Sequence, residues 1–351
     1  MYLKNYNLDE LKSWCVEQGV EQYRAAQILN AVYGNNLDDF SQIETLPKAF
    51  REKLSETFEM FSLKITKVRK SVDGSVKFLF ELNDGKHIEA VYMPWYDDDF
   101  ETMERITLCI SSMAGCPVEC AFCATGTLGL LRNLTPAEII DQILLVQKEL
   151  GCEITNIVFM GMGEPLLNYK NVVHSLEIMT AEWGLNLSRR KITLSTVGIT
   201  NRIKQLHKEI RPVKLALSLH ATTDETRGKI IPLARNLKLS ELLAAVEEYY
   251  RETKMPVTYE YIPFLGFNDT PADARRLAKI LKRVPSRVNI IPFNDISFAM
   301  PSGFGKELKP TPKNLILEFG DIIRQNGGRV TIRDTFGQDI EAACGQLALS
   351  E

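Results

Sequence analysis

The sequence predicts an α/β protein: a partial (β/α)6, TIM-like barrel preceded by a small helical N-terminal domain and a β-hairpin connection. Three observations predict it. From about residue 104, short apolar runs alternate with amphipathic helical stretches, and parallel strands need such helical crossovers. About six of these units follow one another, too few to close an eight-fold barrel. Ahead of them the chain shows only helical spacing up to about residue 60, then only strand-and-turn patterns.

In chain order, LDELKSWCVEQ and YRAAQILNAVYG space their apolar residues at helical intervals. Pro47 stands just ahead of AFREKLSETF, where a helix start tolerates proline. Residues 1–60 are read as a helical accessory domain. The runs SLKITKVRK, SVKFLFEL and HIEAVYMPW follow, separated by Asp73-Gly74 and Asp84-Gly85, which are hairpin-type turns. They make residues 61–98 a β-hairpin connecting region, and the acidic stretch YDDDFETMER leads onward. Residues 99–351 are assigned to the barrel. Its expected strands are RITLCIS, NIVFMGMG, RKITLSTVG, VKLALSLH, VTYEYIPF and VNIIPFN. Helices such as TPAEIIDQILLVQKEL, LSELLAAVEEYYRE and PADARRLAKILKRV lie between them.

Composition narrows the class. With 351 residues, 45% hydrophobic and 25% charged, the chain has the make-up of a soluble globular protein. No apolar run approaches the roughly 20 residues that span a bilayer, and MYLKNYNLDELKSW has no signal-peptide pattern. A cytoplasmic protein without membrane contact is expected. Seven cysteines, an odd number with three crowded together, do not make a secreted disulfide framework. They argue for metal or redox chemistry. A net charge of -3 gives no global sign of nucleic-acid binding, so such a surface must be a local patch. KITKVRK (Lys64, Lys67, Arg69, Lys70) and SRRK (Arg189, Arg190, Lys191) are the candidates.

GCPVECAFCATG holds Cys116, Cys120 and Cys123 within eight positions. Zinc takes four closed ligands, commonly from two Cys-x-x-Cys pairs, and no second pair exists here. The histidines His87, His174, His207 and His220 are far away in sequence. Three thiolates can instead hold an iron–sulfur cubane and leave one iron open to a small molecule. The Cys-x3-Cys-x2-Cys spacing, with Phe122 before the last cysteine, resembles the radical S-adenosylmethionine superfamily. That resemblance implies a [4Fe-4S] cluster whose open iron chelates S-adenosylmethionine. One electron then cleaves the cofactor to a 5'-deoxyadenosyl radical.

Such a cofactor needs backbone groups and a few side-chain oxygens at strand ends. FMGMGEP offers Gly161, Gly163 and Glu164, where glycines allow close backbone approach and a carboxylate can receive an ammonium. Ser195 in LSTVG, Ser218, Leu219 and His220 in LSLHA, and Asn294 in IPFN also end apolar runs. Each alone reads as a strand-end cap; their recurrence points to a shared site.

The succession LCISSMAGCPVECAFCATG, RNLTPAEI, MGMGEPLLN, LSTVGI, LSLHA, IPFN and DIEAACGQL resembles the dual-specificity rRNA/tRNA adenine methyltransferases of RlmN type. YRAAQILNAVY is similar to their accessory domain, which the resemblance makes an RNA contact. The family methylates carbon 2 of an adenosine in 23S rRNA and of the tRNA adenosine next to the anticodon. That carbon offers no lone pair to a sulfonium methyl, so radical chemistry is a sensible route. By resemblance, one cofactor molecule methylates Cys344 and a second generates the radical, making two per turnover. A protein–RNA adduct forms on Cys344, and Cys109 resolves it through a transient disulfide. Glu89 matches the proton acceptor. Cys15 and Cys152 match no family motif and are assigned to packing. A one-electron donor such as flavodoxin and a monomeric state are expected, and the target base must be flipped from its RNA. Two alternatives remain. A sister activity methylates carbon 8 with the same cysteines, against which Pro165 in GEPLLN favours carbon 2. A non-catalytic, zinc-containing RNA-binding protein is the other.

Overall fold

Each turn of the predicted hairpins is fixed by an aspartate that accepts the amide two residues on: Asp73 from Ser75 at 2.8 Å and Asp84 from Lys86 at 3.3 Å. Gly74 and Gly85 adopt the positive φ that these turns require. The computed structural model describes residues 1–35, 37–96, 103–209 and 212–349. Three antiparallel strands surround the two turns: β1 (Leu63–Lys70), β2 (Val76–Leu82) and β3 (His87–Tyr96). Most of the acidic link, residues 97–102, lies outside the described residues.

Before the hairpins come α1 (Leu8–Glu17), α2 (Tyr23–Gly34) and α3 (Lys48–Thr57). Asn7 and Glu10 form a capping box at the start of α1, and Pro47 is the N-cap of α3. Trp14 stacks on Phe50 at 5.9 Å and meets Phe58 edge-on at 4.9 Å, closing a small core.

The chain then runs through β4 (Met103–Cys109), β5 (Met113–Gly115), α4 (Ala124–Thr127), β6 (Leu130–Asn133), α5 (Pro136–Leu150), β7 (Asn156–Phe159) and α6 (Tyr169–Thr180). It continues with β8 (Ile192–Thr196), α7 (Thr200–Glu209), β9 (Lys214–Ser218), α8 (Asp224–Ile230), α9 (Leu239–Thr253) and β10 (Val257–Tyr261). It ends with α10 (Pro271–Leu281), β11 (Ser286–Ile290), α11 (Lys313–Gln325) and β12 (Val330–Ile332). The large sheet runs β1-β2-β3-β4-β7-β8-β9-β10-β11-β12, and β5 pairs with β6 apart from it.

The stretch read as a connecting region shares the barrel's own sheet, because β3 pairs antiparallel with β4. Beyond the six expected parallel strands stands a seventh, β12, beside β11. It is only three residues long and sits in the polar stretch GGRVTIRD, too short to give an alternation signal. No helix among the described residues is long and apolar enough to cross a membrane.

Alternate residues of the strands face the lumen: Arg105, Thr107 and Cys109 on β4, Thr258 and Glu260 on β10, Arg287 and Asn289 on β11. Their neighbours Leu108, Tyr259, Val288 and Ile290 join the apolar layer under the helices. The N-terminal domain is fastened to this barrel by a buried ion pair, Lys4 Nζ to Asp141 Oδ1 of α5 at 2.7 Å. Ser62 donates its amide and hydroxyl to the other oxygen, both at 2.6 Å, and Lys4 lies 4.2 Å from the Phe61 ring centroid. Removing one partner strands the other charge in the interior, at a cost of about 3–5 kcal/mol. Lys4→Met should therefore lower the denaturant midpoint strongly, while Lys12→Met, on an exposed pair, leaves it near the wild-type value.

Candidate active site

The three clustered cysteines follow directly from β4 and β5. A Cβ on Gly115 would lie 2.0 Å from the Gly129 carbonyl, so only glycine lets β6 close against the base of this loop. Cys116, Cys120 and Cys123 face a cavity of about 120 Å³ at the C-terminal ends of β7, β8 and β9. Gly161 and Gly163 lie across it, where a Cβ would come 2.7 Å from the Ile110 carbonyl and 2.6 Å from Met113 Cβ. Ser195, Ser218 and His220 line it as well, the two hydroxyls 3.4 Å apart.

Glu164 also lines this cavity, and its carboxylate braces the strand ends. It accepts from Val197 N–H at 2.8 Å, the Thr196 hydroxyl at 2.7 Å and Leu166 N–H at 3.0 Å. Burial still holds its pKa above the usual carboxylate value. His220, remote in sequence from the cysteine loop, packs edge-on against Phe122 of that loop at 4.7 Å. Its Nδ1 accepts the Ile262 amide at 3.2 Å, which leaves the proton of the neutral ring on Nε2. Burial drives its pKa down to about 3, so the ring is uncharged at neutral pH.

Leu219 is buried and contributes through its backbone. Its amide donates to the Glu260 carbonyl at 3.1 Å, and its own carbonyl accepts from Arg227 Nε at 3.1 Å. Arg227, which the sequence reading did not single out, also donates to the carbonyls of Val197 and Ser218, at 2.5 Å and 3.2 Å. One buried guanidinium thus joins two of the strand-end loops. Its motif TTDETRGKII carries no sign of that; the role exists only once the loops converge.

The donor set suits an iron–sulfur cluster. Three cysteines of one loop face a single cavity, and a cubane takes one thiolate on each of three irons, leaving the fourth open. Burial raises all three thiols, chiefly by desolvation, with Cys123 adding to the effect on Cys116 and Cys120. Three such thiolates need a cationic centre to share. Arg227 Nη1 is buried without a hydrogen-bond partner, and its charge favours the Cys120 thiolate, as an anionic assembly there requires.

A second cavity, about 660 Å³, runs through the barrel beside the first. Cys344, Gly345, Glu260, Met160 and Ile291 line both. Cys344 is carried by a C-terminal segment tied down at three places. Gly337 N–H donates to Asp73 at 2.7 Å, and Ser71 Oγ donates to Asp339 at 2.5 Å, at the first hairpin. Ala124 N–H donates to the Gly345 carbonyl at 2.7 Å and Thr125 Oγ1 to that of Leu347 at 2.5 Å, beside the cysteine loop. Asn294 donates to the Cys344 carbonyl at 3.1 Å and accepts from Gln338 at 3.2 Å. Asn294 therefore sits in the larger cavity with Cys344, apart from the other strand-end residues of the predicted set.

Cys109 lines the larger cavity too. The expected Cys109–Cys344 disulfide is not formed, and all seven cysteines are free thiols. Burial raises Cys109 to about 12; Cys344 is exposed to the lumen, where the surrounding barrel walls push it up to about 11, with the Arg333 charge opposing both. Glu89 enters through strand pairing: Val91 stands opposite Cys109, so Glu89, two residues along, shares that face. Its carboxylate binds Lys77 Nζ at 3.1 Å, both side chains being buried, and accepts Leu349 N–H at 3.2 Å. It lies behind the C-terminal segment rather than in either cavity lining. Cys15 is fully buried and Cys152 half-buried, as packing residues are.

The fold and this site define a radical S-adenosylmethionine enzyme, and the comparisons agree. The Radical SAM superfamily model matches residues 110–278, and the model of the ribosomal RNA large subunit methyltransferase N-terminal domain matches residues 1–60. A radical SAM methyltransferase from Sphaerobacter thermophilus has a crystal structure that superposes with a TM-score of 0.90 at 39% identity, covering 99% of each chain. A relative from Thermus thermophilus is 47% identical over 94% of this chain and 90% of its own. One from Salinibacter ruber is 42% identical over 99% and 93%. Both are described as probable dual-specificity RNA methyltransferases RlmN. The chain belongs to the RlmN family of radical SAM methyltransferases.

Because both central thiols are protonated at neutral pH, their reactivity should follow the thiolate fraction. Alkylation of Cys344 by iodoacetamide, followed by peptide mass spectrometry, should speed up about tenfold per pH unit with no plateau below about pH 10. Levelling off already near pH 9 would show a thiol with an ordinary pKa.

Proposed function

We propose that this chain methylates carbon 2 of adenosine in RNA, in 23S rRNA and in tRNA next to the anticodon, with Cys344 carrying the one-carbon unit. The observation that supports it most is the position of Cys344, whose residue lines both the cysteine-loop cavity and the larger cavity. A group bound on either side can reach the same sulfur. The relatives are described as dual-specificity RNA methyltransferases, and GEPLLN with Pro165 favours carbon 2 over carbon 8.

In this reading Cys116, Cys120 and Cys123 hold the [4Fe-4S] cluster. Gly163, Glu164, Ser195, Ser218, Leu219, His220 and Asn294 shape the site for S-adenosylmethionine. When bound, these groups supply a methyl group and one-electron, carbon-centred chemistry, with two cofactor molecules used per turnover. Cys344 loses its proton, takes the methyl group and holds it at the boundary of the two cavities. By the family likeness Glu89 is the acceptor of the proton from the base carbon, although its carboxylate, paired with Lys77 behind the C-terminal segment, lines neither cavity. Cys109 joins Cys344 as a disulfide when the protein–RNA adduct is released. A one-electron donor such as flavodoxin, a monomeric state and a cytoplasmic setting complete the reading. Residues 1–60 make an RNA contact as the first unit, while 61–98 and 99–351 act together through their shared sheet.

The larger cavity reaches from the N-terminal ends of the parallel strands to their C-terminal ends. Arg189, Arg190, Lys214, Lys254 and Arg287 line its N-terminal end, and Arg333 its C-terminal end with the carboxylates Glu260 and Asp334. Among the described residues none of these six cations forms an ion pair, and crowding by Arg287, Arg105 and Arg190 helps lower the Lys214 pKa after burial. Trp95, stacked by Arg105 at 4.4 Å and touching Phe336 at 4.7 Å, adds an aromatic surface. Unpaired cations around an aromatic-edged mouth suit an RNA strand with one nucleotide turned inward. The patch on β1 suits it less, since Arg69 is paired with Glu341 at 3.3 Å.

The reading is tested by reconstituting the protein anaerobically and digesting an unmodified rRNA fragment after reaction. 2-Methyladenosine should appear in the wild type and vanish in Cys344→Ala. 8-Methyladenosine, or no methylated base with zinc bound, would contradict it. Arg189→Glu with Arg190→Glu should weaken RNA binding about tenfold at low salt and flatten its salt dependence, whereas Lys64→Glu with Lys67→Glu should change it little. The reverse pattern would move the RNA surface to β1.

A further inference from the structure

Glu260 is an acidic residue in the middle of an apolar strand, and it stands where the two cavities meet. It lines both of them and is only 3% exposed. Oε1 accepts from Asn289 Nδ2 of the neighbouring strand at 3.0 Å, which fixes the carboxyl plane. The strand register sets the two residues side by side, both facing the lumen. Oε2 is buried and has no hydrogen-bond partner. Among the described residues Glu260 forms no ion pair, although the Arg333 charge acts on it. A buried carboxyl oxygen without a partner costs several kcal/mol if charged, so such groups are kept neutral or matched to a ligand. Nothing in the roles assigned to Cys344, Cys109 or Glu89 uses this oxygen.

We propose that Glu260 reads the target base, its free carboxyl oxygen hydrogen-bonding a ring nitrogen beside the carbon that Cys344 approaches. This rests on the RNA adenine reading above. The carboxyl faces the same lumen as Cys344, and a flipped adenine that offers its reacting carbon to that sulfur must present a flanking nitrogen to the same wall. Those nitrogens are acceptors, so the partner has to be a donor. Burial, with Arg333 and Asn289 opposing it, raises the Glu260 pKa and favours the protonated, donating form. Asn289 keeps the acid oriented. Glu260 keeps its proton throughout, so no bond is made or broken at it.

The test uses reconstituted, cofactor-loaded protein and RNA fragments carrying adenosine, 1-deazaadenosine or 3-deazaadenosine at the target position. Glu260→Leu should bind the adenosine fragment about tenfold more weakly, and at least one deaza fragment with the same affinity as wild type does. Glu260→Gln, whose amide can still donate, should stay within about threefold of wild type on adenosine. A role confined to packing predicts a lower melting temperature and equal losses on all three fragments. Here the melting temperature of Glu260→Leu should hold or rise, since an unmatched buried oxygen is removed. Equal losses on all fragments would overturn the proposal. So would weakened S-adenosylmethionine binding with unchanged RNA affinity, which would assign the oxygen to the cofactor. If wild type itself fails to methylate carbon 2, the functional reading fails and not this assignment alone.

Discussion

The position of one sulfur depends on how the C-terminal segment is lashed across the barrel. Residues 337–349 are anchored to the first hairpin by Asp73 and Ser71, to the cysteine loop by Ala124 and Thr125, and to the end of β11 by Asn294. Each hydrogen bond is worth only about 1 kcal/mol net. Spread over three separate parts of the fold, they leave little freedom for Cys344. The segment also bends sharply, with Gly337, Glu341 and Gly345 in the left-handed region. Glycine takes that conformation freely; Glu341 is held in it by its neighbours and paired with Arg69. The thiol is thereby placed between two cavities that no other cysteine joins among the described residues.

That placement relies on the sheet being continuous. If the N-terminal strands were only a linker, the Asp73 turn would have no fixed relation to the cysteine loop. Because β3 pairs with β4, the hairpin, Glu89 and Cys109 form part of one rigid surface. The buried Lys77–Glu89 pair sits under the C-terminal segment, and Lys77 also donates to the Glu341 carbonyl at 3.2 Å. A buried ion pair with further hydrogen bonds is weak evidence for stability and better read as fixing geometry.

Much of this was legible in the sequence, for definite reasons. The cysteine loop was readable because metal ligation forces residue type and spacing within one short segment. The barrel was readable because six apolar strands alternate with long amphipathic helices. Strand β12 was not, since three residues give no period. Arg227 and Lys77 were not, because each is defined by carbonyls or carboxylates brought together from distant segments. Glu89 was matched only through family likeness, and the antiparallel register then placed it on the face of Cys109. Glu260 carried a signal that went unused: an acid at an even position of VTYEY, on the face where Thr258 also points inward. Of the two basic runs, charge alone could not choose; the mouth includes Arg189 and Arg190, while β1 spends Arg69 on Glu341.

The most direct test of the central claim is a peptide map of the protein after anaerobic incubation with S-adenosylmethionine and no RNA. The account predicts a methyl group on the peptide that contains Cys344, about 14 mass units heavier, and none on the peptide that contains Cys109. RNA methylation by an enzyme whose Cys344 never carries that group would contradict it.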